Sequence, residues 1–348
     1  MSLEGRYDDE TGVVRVGGDA RQRYHDSRGY GYPLSGNEIA LAPVEAAHLL
    51  FRGDLEAVVD RSGERLTFRS FVAREPGKSF GVRFLVYADL RSRGFYLSPA
   101  AEPWIDDPPV TDFAVFPRGK GPGDGEIAYA LTIIGERTDV AASELTDGVL
   151  AVVDEESEIT YFDVSPEEPQ GTTESELPER SAADLLTDRV VVWDPPLELY
   201  EEAFYGQPLE GREYDRPTLQ CSLLEATYLA ERDAIDLDPE AVRRRGREVE
   251  GERFRRRFRV YAALRDRGIV PKTGYKFGAD FRTYADVESV DDLGHSELLI
   301  RVHPDEYVFE PRDLALDVRL AHGVRKTMVF ALVDEGEVEW WSLERLTP

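Results

Sequence analysis

VYADLRSRGFYL, residues 86–97, returns as VYAALRDRGIVP at residues 260–271. The second copy reads as a helix that closes on Gly268, as a C-terminal glycine should. Three more pairs keep the same order: YGYPLSG (30–36) with YGQPLEG (205–211), APVEAAHLLFRGDLEAV (42–58) with SLLEATYLAERDAIDL (222–237), and LAVVDEESEITYFDV (150–164) with FALVDEGEVEWWSL (330–343). All four are separated by about 174 to 180 residues, so the whole unit is duplicated. Between the copies, SPEEPQGTTESELPERS (165–181) is rich in proline, glutamate and threonine without apolar periodicity, and reads as a linker.

Each copy reads as mixed α/β (α+β) in two halves. In the first half, β-like runs such as GVVRV (12–16) and RVVVW (189–193) precede a helix with apolar positions at Leu49, Leu50 and Leu55 or their counterparts. In the second half, the helix is followed by strands in HSELLIRVH and TMVFALVDEGEVEWWSL, the latter a hairpin turning at Asp334-Glu335-Gly336. Four small α/β units are expected, with a mixed sheet in each C-terminal half; one doubly wound sheet fits the spacing poorly. The expected organisation is a degenerate repeat at 1–165 (subdomains about 1–78 and 79–165), a linker at 166–186, and a second repeat at 187–348 (subdomains about 187–252 and 253–348).

With 69 acidic against 42 basic residues, the formal charge is -27, and only five of the basic residues are lysines. Such an acid-rich, lysine-poor surface resembles proteins of salt-saturated cytoplasm, where carboxylates keep the chain hydrated; a mesophilic acidic protein repelled by nucleic acid is the other reading. No apolar run approaches the ~20 residues of a membrane span, and MSLEGRYDDETG lacks signal-peptide order, so a cytoplasmic protein is expected. Cys221, the single cysteine, excludes an intrachain disulfide and a cysteine-built metal cluster, and reads as a core residue.

Against this background KTGYKFGADFRTY (272–284) is basic and aromatic, and only the second copy has it. That copy continues with His295 in GHSELLIRV and with Lys326 in RLAHGVRKTMVFALVD; the corresponding parts of the first copy hold neither histidine nor lysine. A tyrosine beside a cation is a usable base, a histidine donates a proton near neutrality, and a lysine holds the extra charge of a phosphorane. Tyr284, His295 and Lys326 thus suit cleavage of RNA by its own 2′-hydroxyl without a metal or cofactor. Each also has a structural reading: a half-buried strand tyrosine, a turn histidine, a solvated basic edge. Neither GxGxxG nor GxxxxGK[ST] occurs, and no Asp/Glu/His spacing singles out a metal site; His25, His48 and His303 are scattered, while His322 lies four residues before Lys326.

These segments carry a resemblance. GYKFGADFRTY, then His295-Ser296, then RLAHGVRK is similar to the archaeal tRNA-splicing endonuclease family, whose pattern is KFG-D-F--Y, a histidine-serine pair opening a strand, and R--H-VRK ending in the active-site lysine. The duplication resembles the family's two-repeat, homodimeric branch. The resemblance implies a nuclease-like C-terminal subdomain that cuts precursor tRNA at bulge-helix-bulge sites, leaving 2′,3′-cyclic phosphate and 5′-hydroxyl ends. Its partners would be RNA and a second copy, with no DNA or membrane. It implies Tyr284 as general base, His295 as general acid and Lys326 as transition-state stabiliser. It further implies Arg319 and Arg345 as the pair holding a bulge base, with Trp340 and Trp341 as alternatives to Arg345. Asp124 and Glu126 in PRGKGPGDGEIAY (117–129) would form the acidic loop that plugs a basic pocket of the partner, although on composition the loop is equally a surface hairpin.

On this reading the charge paradox resolves. Counterion-release binding fades at high salt, so shape, stacking and a few desolvated charges must carry recognition, and the 272–284 patch is expected to be basic because the chemistry lies there. Two other classes stay open, a non-catalytic RNA-binding or scaffolding subunit and a metal-dependent nuclease.

Overall fold

The computed structural model describes residues 3–74, 79–100, 111–174, 176–211, 216–334 and 336–348. Glu335 of the expected hairpin turn, Ser175 of the expected linker, and residues 75–78 and 101–110 of the first repeat lie outside the described residues. No helix among the described residues is long and apolar enough to cross a membrane.

Each repeat opens with its own small sheet and a short buried helix. In repeat 1 the sheet has six strands and carries helix Pro43–Phe51; in repeat 2 it has four and carries helix Leu223–Glu231. The duplicated Tyr-Gly and Glu-Ala strings form one device. The Glu45 carboxylate accepts hydrogen bonds from the backbone N–H groups of Gly31 (2.8 Å) and Ala42 (2.9 Å). Glu225 does the same for Gly206 (3.1 Å) and Ser222 (2.9 Å). Each glutamate thus satisfies an orphan helix N-terminal donor and ties the preceding loop to it. Only glycine fits the loop in repeat 1, because Gly31 has φ +57° and a Cβ there would stand 2.0 Å from the Ala40 carbonyl oxygen. The helix ends at Phe51; Leu55, expected on it, instead opens strand Leu55–Val59, which pairs in parallel with Leu3–Asp8.

The C-terminal halves do not form two separate sheets. Their strands, numbered within one ten-stranded sheet, are β1 (Tyr96–Pro99), β2 (Phe113–Phe116), β3 (Tyr129–Gly135), β4 (Gly148–Val153), β5 (Ile159–Pro166), β6 (Val270–Thr273), β7 (Phe281–Tyr284), β8 (Leu298–Pro304), β9 (Thr327–Val333) and β10 (Val338–Leu346). The spatial order is β6-β7-β8-β9-β10-β5-β4-β3-β2-β1, so each repeat contributes half and the halves meet where β5 pairs antiparallel with β10. Val164 faces Leu343 in that register, and these two are equivalent positions of the duplication, so a local two-fold relates the repeats. A second self-pairing, Val140 with Phe309, repeats the relationship. The four units expected from sequence merge because β5 and β10 are edge strands with unpaired backbone groups, and each is the other's natural cover.

Alternation along the strands divides the core between two faces. Ile300, Val302, Val329 and Ala331 pack under helix Glu252–Asp266, while Leu299, Met328, Phe330 and Leu343 face helix Pro311–Gly323. That second face is shared: Leu150, Val152, Phe162 and Val164 of repeat 1 join the same cluster. Helix Pro311–Gly323 buries Leu314, Val318 and Ala321 at helical spacing, and repeat 1 keeps only the three-residue turn Ala142–Glu144 in its place.

The stretch between the repeats is held by backbone hydrogen bonds at residues 167–173. Glu167 N–H donates to Trp340 O (2.8 Å), Gly171 N–H to Arg267 O (2.9 Å), Thr172 N–H to Ala285 O (2.8 Å) and Thr173 N–H to Gly268 O (3.0 Å). Within it, Ala183–Leu185 is a strand paired with Val190–Trp193.

Candidate active site

The three segments singled out in the sequence end on neighbouring strands. Val270 pairs with Tyr284 at the end of β7, Glu297 N–H donates to Thr283 O (3.1 Å), and Thr327 N–H donates to Glu297 O (3.1 Å). Strands lie about 4.8 Å apart, so Tyr284, His295-Ser296 and Lys326, each a residue or two beyond these rungs, share one end of the sheet. The Lys326 ammonium donates to the carbonyl of Ser296, the residue after His295, and stands 5.9 Å from the centroid of the Phe277 ring in the KFG turn. Burial, and secondarily the charge of Arg282, pulls the Lys326 pKa below its ordinary value.

Around this end lies a groove of about 470 Å³ lined by His295, His322, Arg325, Lys326, Glu344 and Arg345 among others. His295 is exposed, while Tyr284 is 7 % exposed, packs with Phe204, Val270 and Val287, and is not among the residues that line this groove. The cation over the Tyr284 ring is Arg282, with its guanidinium carbon 5.7 Å from the centroid. Arg319 is exposed on helix Pro311–Gly323, one turn before His322, and Arg345 is exposed near the end of β10 on the helix-facing side of the sheet. Neither has a carboxylate partner among the described residues. Trp340 is 5 % exposed in the core beneath helix Glu252–Asp266, whereas Trp341 is half-buried against the shared core.

Repeat 1 supplies none of the three groups. Tyr96 pairs with Phe116 as Val270 pairs with Tyr284, and Leu131 pairs with Val149 as Ile300 pairs with Val329. Counting along these registers, Phe116, Glu126 and Thr146 stand where Tyr284, His295 and Lys326 do. The PRGKGPGDGEIAY loop is exposed: Asp124 accepts from Gly121 N–H (2.7 Å) and Glu126 pairs with Lys120 (2.5 Å).

Two residues of the basic stretch serve the scaffold. Lys272 donates to the Phe204 carbonyl and lies 3.8 Å from Glu225, and burial lowers its pKa; it fastens the C-terminal half of repeat 2 to the helix Leu223–Glu231 and the loop at Phe204. The expectation that the whole patch is basic for chemistry therefore does not hold for Lys272. Asp280 sits at the centre of an ion-pair hub with Arg253 (2.5 Å) and Arg257 (3.0 Å) and accepts from Val302 N–H (2.9 Å), joining helix Glu252–Asp266 to β8. Sequence reading missed this hub, since the partners lie more than 20 residues away and show no local pattern.

The remaining histidines are accounted for. His48 bonds the Tyr30 hydroxyl (2.8 Å) and His303 stacks on Tyr307 (3.9 Å), both pushed down to about 4 by burial; His25 bonds the Gly31 carbonyl (3.0 Å). Among the described residues no group of three or more His, Cys, Asp or Glu is placed to hold a metal ion.

Comparison with known proteins gives this arrangement a family. The profile described as tRNA intron endonuclease, catalytic C-terminal domain matches residues 254–340, and that of the N-terminal domain matches residues 9–72 and 181–248, one in each repeat. A tRNA-splicing endonuclease of Haloarcula marismortui is 57 % identical over 100 % of this chain and 99 % of its own length. One of Haloferax volcanii is 53 % identical over 99 % and 100 %, and one of Methanosarcina acetivorans 36 % identical over 96 % and 97 %. With both domain profiles matched and relatives aligned end to end, the chain belongs to the tRNA intron endonuclease family.

Proposed function

We propose that this chain, an endonuclease of tRNA splicing, excises introns from precursor tRNA at bulge-helix-bulge sites by metal-independent transesterification. The observation that carries this reading is the hydrogen bond from the Lys326 ammonium to the Ser296 carbonyl where neighbouring strands β8 and β9 begin, with His295 exposed beside it. Tyr284 takes the proton of the substrate 2′-hydroxyl, whose oxygen attacks the adjacent phosphorus. His295 gives a proton to the departing 5′-oxygen as the P–O5′ bond breaks, leaving a 2′,3′-cyclic phosphate and a 5′-hydroxyl. Lys326 offsets the extra negative charge of the phosphorane. Arg319 and Arg345, exposed and without carboxylate partners among the described residues, stack on a flipped bulge base.

Two cuts per intron call for two such sites, which a homodimer supplies, each copy contributing one catalytic and one structural repeat. The exposed Asp124 and Glu126 loop is the contact that orients them in this reading. The domain boundaries expected from sequence, with a structural repeat ending near residue 165, fit this division, and precursor tRNA locates the reaction in the cytoplasm.

The test is cleavage of a bulge-helix-bulge RNA in high salt and excess EDTA, with analysis of the ends. Two cuts leaving cyclic phosphate and 5′-hydroxyl are expected. Cutting only on addition of magnesium, with 5′-phosphate ends, would replace this reading by a metal-dependent one, and no cutting under either condition by the non-catalytic one.

A further inference from the structure

Between the N-terminal sheet of repeat 2 and the central sheet runs a cleft of about 540 Å³ that contains Val290 and Leu293 of the loop linking Tyr284 to His295. Four cations line it. Arg189 pairs with Asp188 (3.3 Å), Arg257 with Glu250 (2.7 Å), and Lys272 is fixed by the Phe204 carbonyl with Glu225 at 3.8 Å. Arg282 differs: it has no carboxylate partner among the described residues, and its Nε is buried with no hydrogen-bond partner. In a chain with 69 carboxylates against 42 basic groups, an unneutralised and partly buried guanidinium is a costly feature to keep.

Its position gives that feature a use. Arg282 lies on β7 two residues before Tyr284, with its guanidinium carbon 5.7 Å from the Tyr284 ring centroid, at the junction of the cleft with the catalytic strand ends. Its charge also reaches Lys326, whose pKa it helps burial to lower.

We propose that Arg282 binds a non-bridging phosphate oxygen of the cleaved RNA strand at a linkage flanking the scissile one, a substrate contact beyond Tyr284, His295 and Lys326. The inference rests on the ribonuclease reading above. The planar guanidinium fork matches two phosphate oxygens, and a phosphodiester supplies the anionic partner that Arg282 lacks among the described residues. A flanking linkage is favoured because Arg282 opens to the cleft, whereas the groove lining contains His295 and Lys326 but not Arg282. Such a partly desolvated contact survives salt that screens exposed charges.

The test pairs protein and substrate changes. Wild type, Arg282→Gln and Arg282→Lys are assayed in EDTA on bulge-helix-bulge RNAs in which single linkages flanking each cut, never the scissile one, are replaced by neutral methylphosphonates. R282Q is expected to lose about 10–100-fold in kcat/KM with an unchanged melting temperature, and R282K to recover part of it. At one flanking position the neutral linkage should slow wild type by a similar factor and R282Q no further. If every neutral linkage slows wild type and R282Q alike, Arg282 touches no phosphate and serves only to hold the Tyr284 ring, and the proposal is wrong while the ribonuclease reading stands. A wild type that cuts no RNA in EDTA overturns the reading and this proposal with it.

Discussion

The ammonium of Lys326 is hydrogen-bonded to the backbone carbonyl of Ser296, so the lysine just before β9 is fixed to the residue that follows His295. The bond sets the cation's place relative to the histidine across two parallel strands, β8 and β9, whose register is continuous from Leu298–Thr327 to Pro304–Val333. Replacing Lys326 by Ala is expected to cut the cleavage rate by about 10²–10³-fold, the scale of losing one transition-state charge donor. Stability should fall by only about 1 kcal/mol for the lost hydrogen bond. Single-turnover kinetics beside a urea melt separates the two effects; a melt that collapses in step with activity would mean that Lys326 is structural.

Phe162 tests the fusion of the repeats. It is buried in repeat 1, opposite Arg345 in the β5–β10 register, inside the core that both repeats share. Phe162→Ala should destabilise the protein by about 3–5 kcal/mol, and the urea midpoint should move for the signals of both repeats together. A transition that splits, with repeat 2 unaffected, would show that the halves fold independently.

Gly171 tests whether the stretch between repeats bears on the site. A Cβ at Gly171 would stand 2.3 Å from the Gly268 carbonyl oxygen and 2.8 Å from that of Ala285, the residue after Tyr284. Gly171→Ala must therefore lift the chain away from its hydrogen bonds to Arg267, Ala285 and Gly268, at about 1–3 kcal/mol. The expected result is a lower melting temperature together with faster amide exchange at 285–294, measured by hydrogen exchange. Unchanged exchange there would mean that the stretch does not support the Tyr284–His295 loop.

Acid sensitivity follows from His48. Burial between Tyr30 and Tyr87 holds it neutral down to a pKa of about 4, whereas unfolded histidine titrates near 6.5. Between those values the unfolded state binds the extra proton, so stability rises with pH and is lost as pH falls from about 6.5 towards 4, by at most about 1.4 kcal/mol per unit from this residue. Asp317, raised to about 6 by burial, acts in the opposite sense over part of that range. The His48 contribution is therefore read as a difference: the slope of unfolding free energy against pH should be shallower in His48→Gln than in wild type. Equal slopes would show that His48 is protonated in the folded state.

Much of this was legible in the chain. The duplication, the β9–β10 strands and the three residues ending on neighbouring strands follow from local strings and their spacing. What was not legible is what distant residues decide. β5 and β10 have no sequence feature saying that they pair with each other; that follows from two equivalent edges, with Val164 against Leu343, lacking any other cover. Helix Pro311–Gly323 hides its apolar stripe of Leu314, Val318 and Ala321 among charges. Lys272 and Asp280 read as parts of one functional patch, yet their partners, Phe204 and Glu225 for the one, Arg253 and Arg257 for the other, make them joints of the scaffold. Leu55 kept the helical pattern but fell beyond Gly53, whose φ of +72° ends the helix run.

Proton delivery by His295 to the departing 5′-oxygen is tested most directly by a substrate with sulfur in place of that oxygen. A 5′-thiolate leaves without protonation, so His295→Ala, slow on the normal RNA by at least about 10²-fold, should cut the 5′-thio RNA at nearly the wild-type rate. If the variant is slowed equally on both substrates, His295 is not the general acid and the proposed chemistry is wrong.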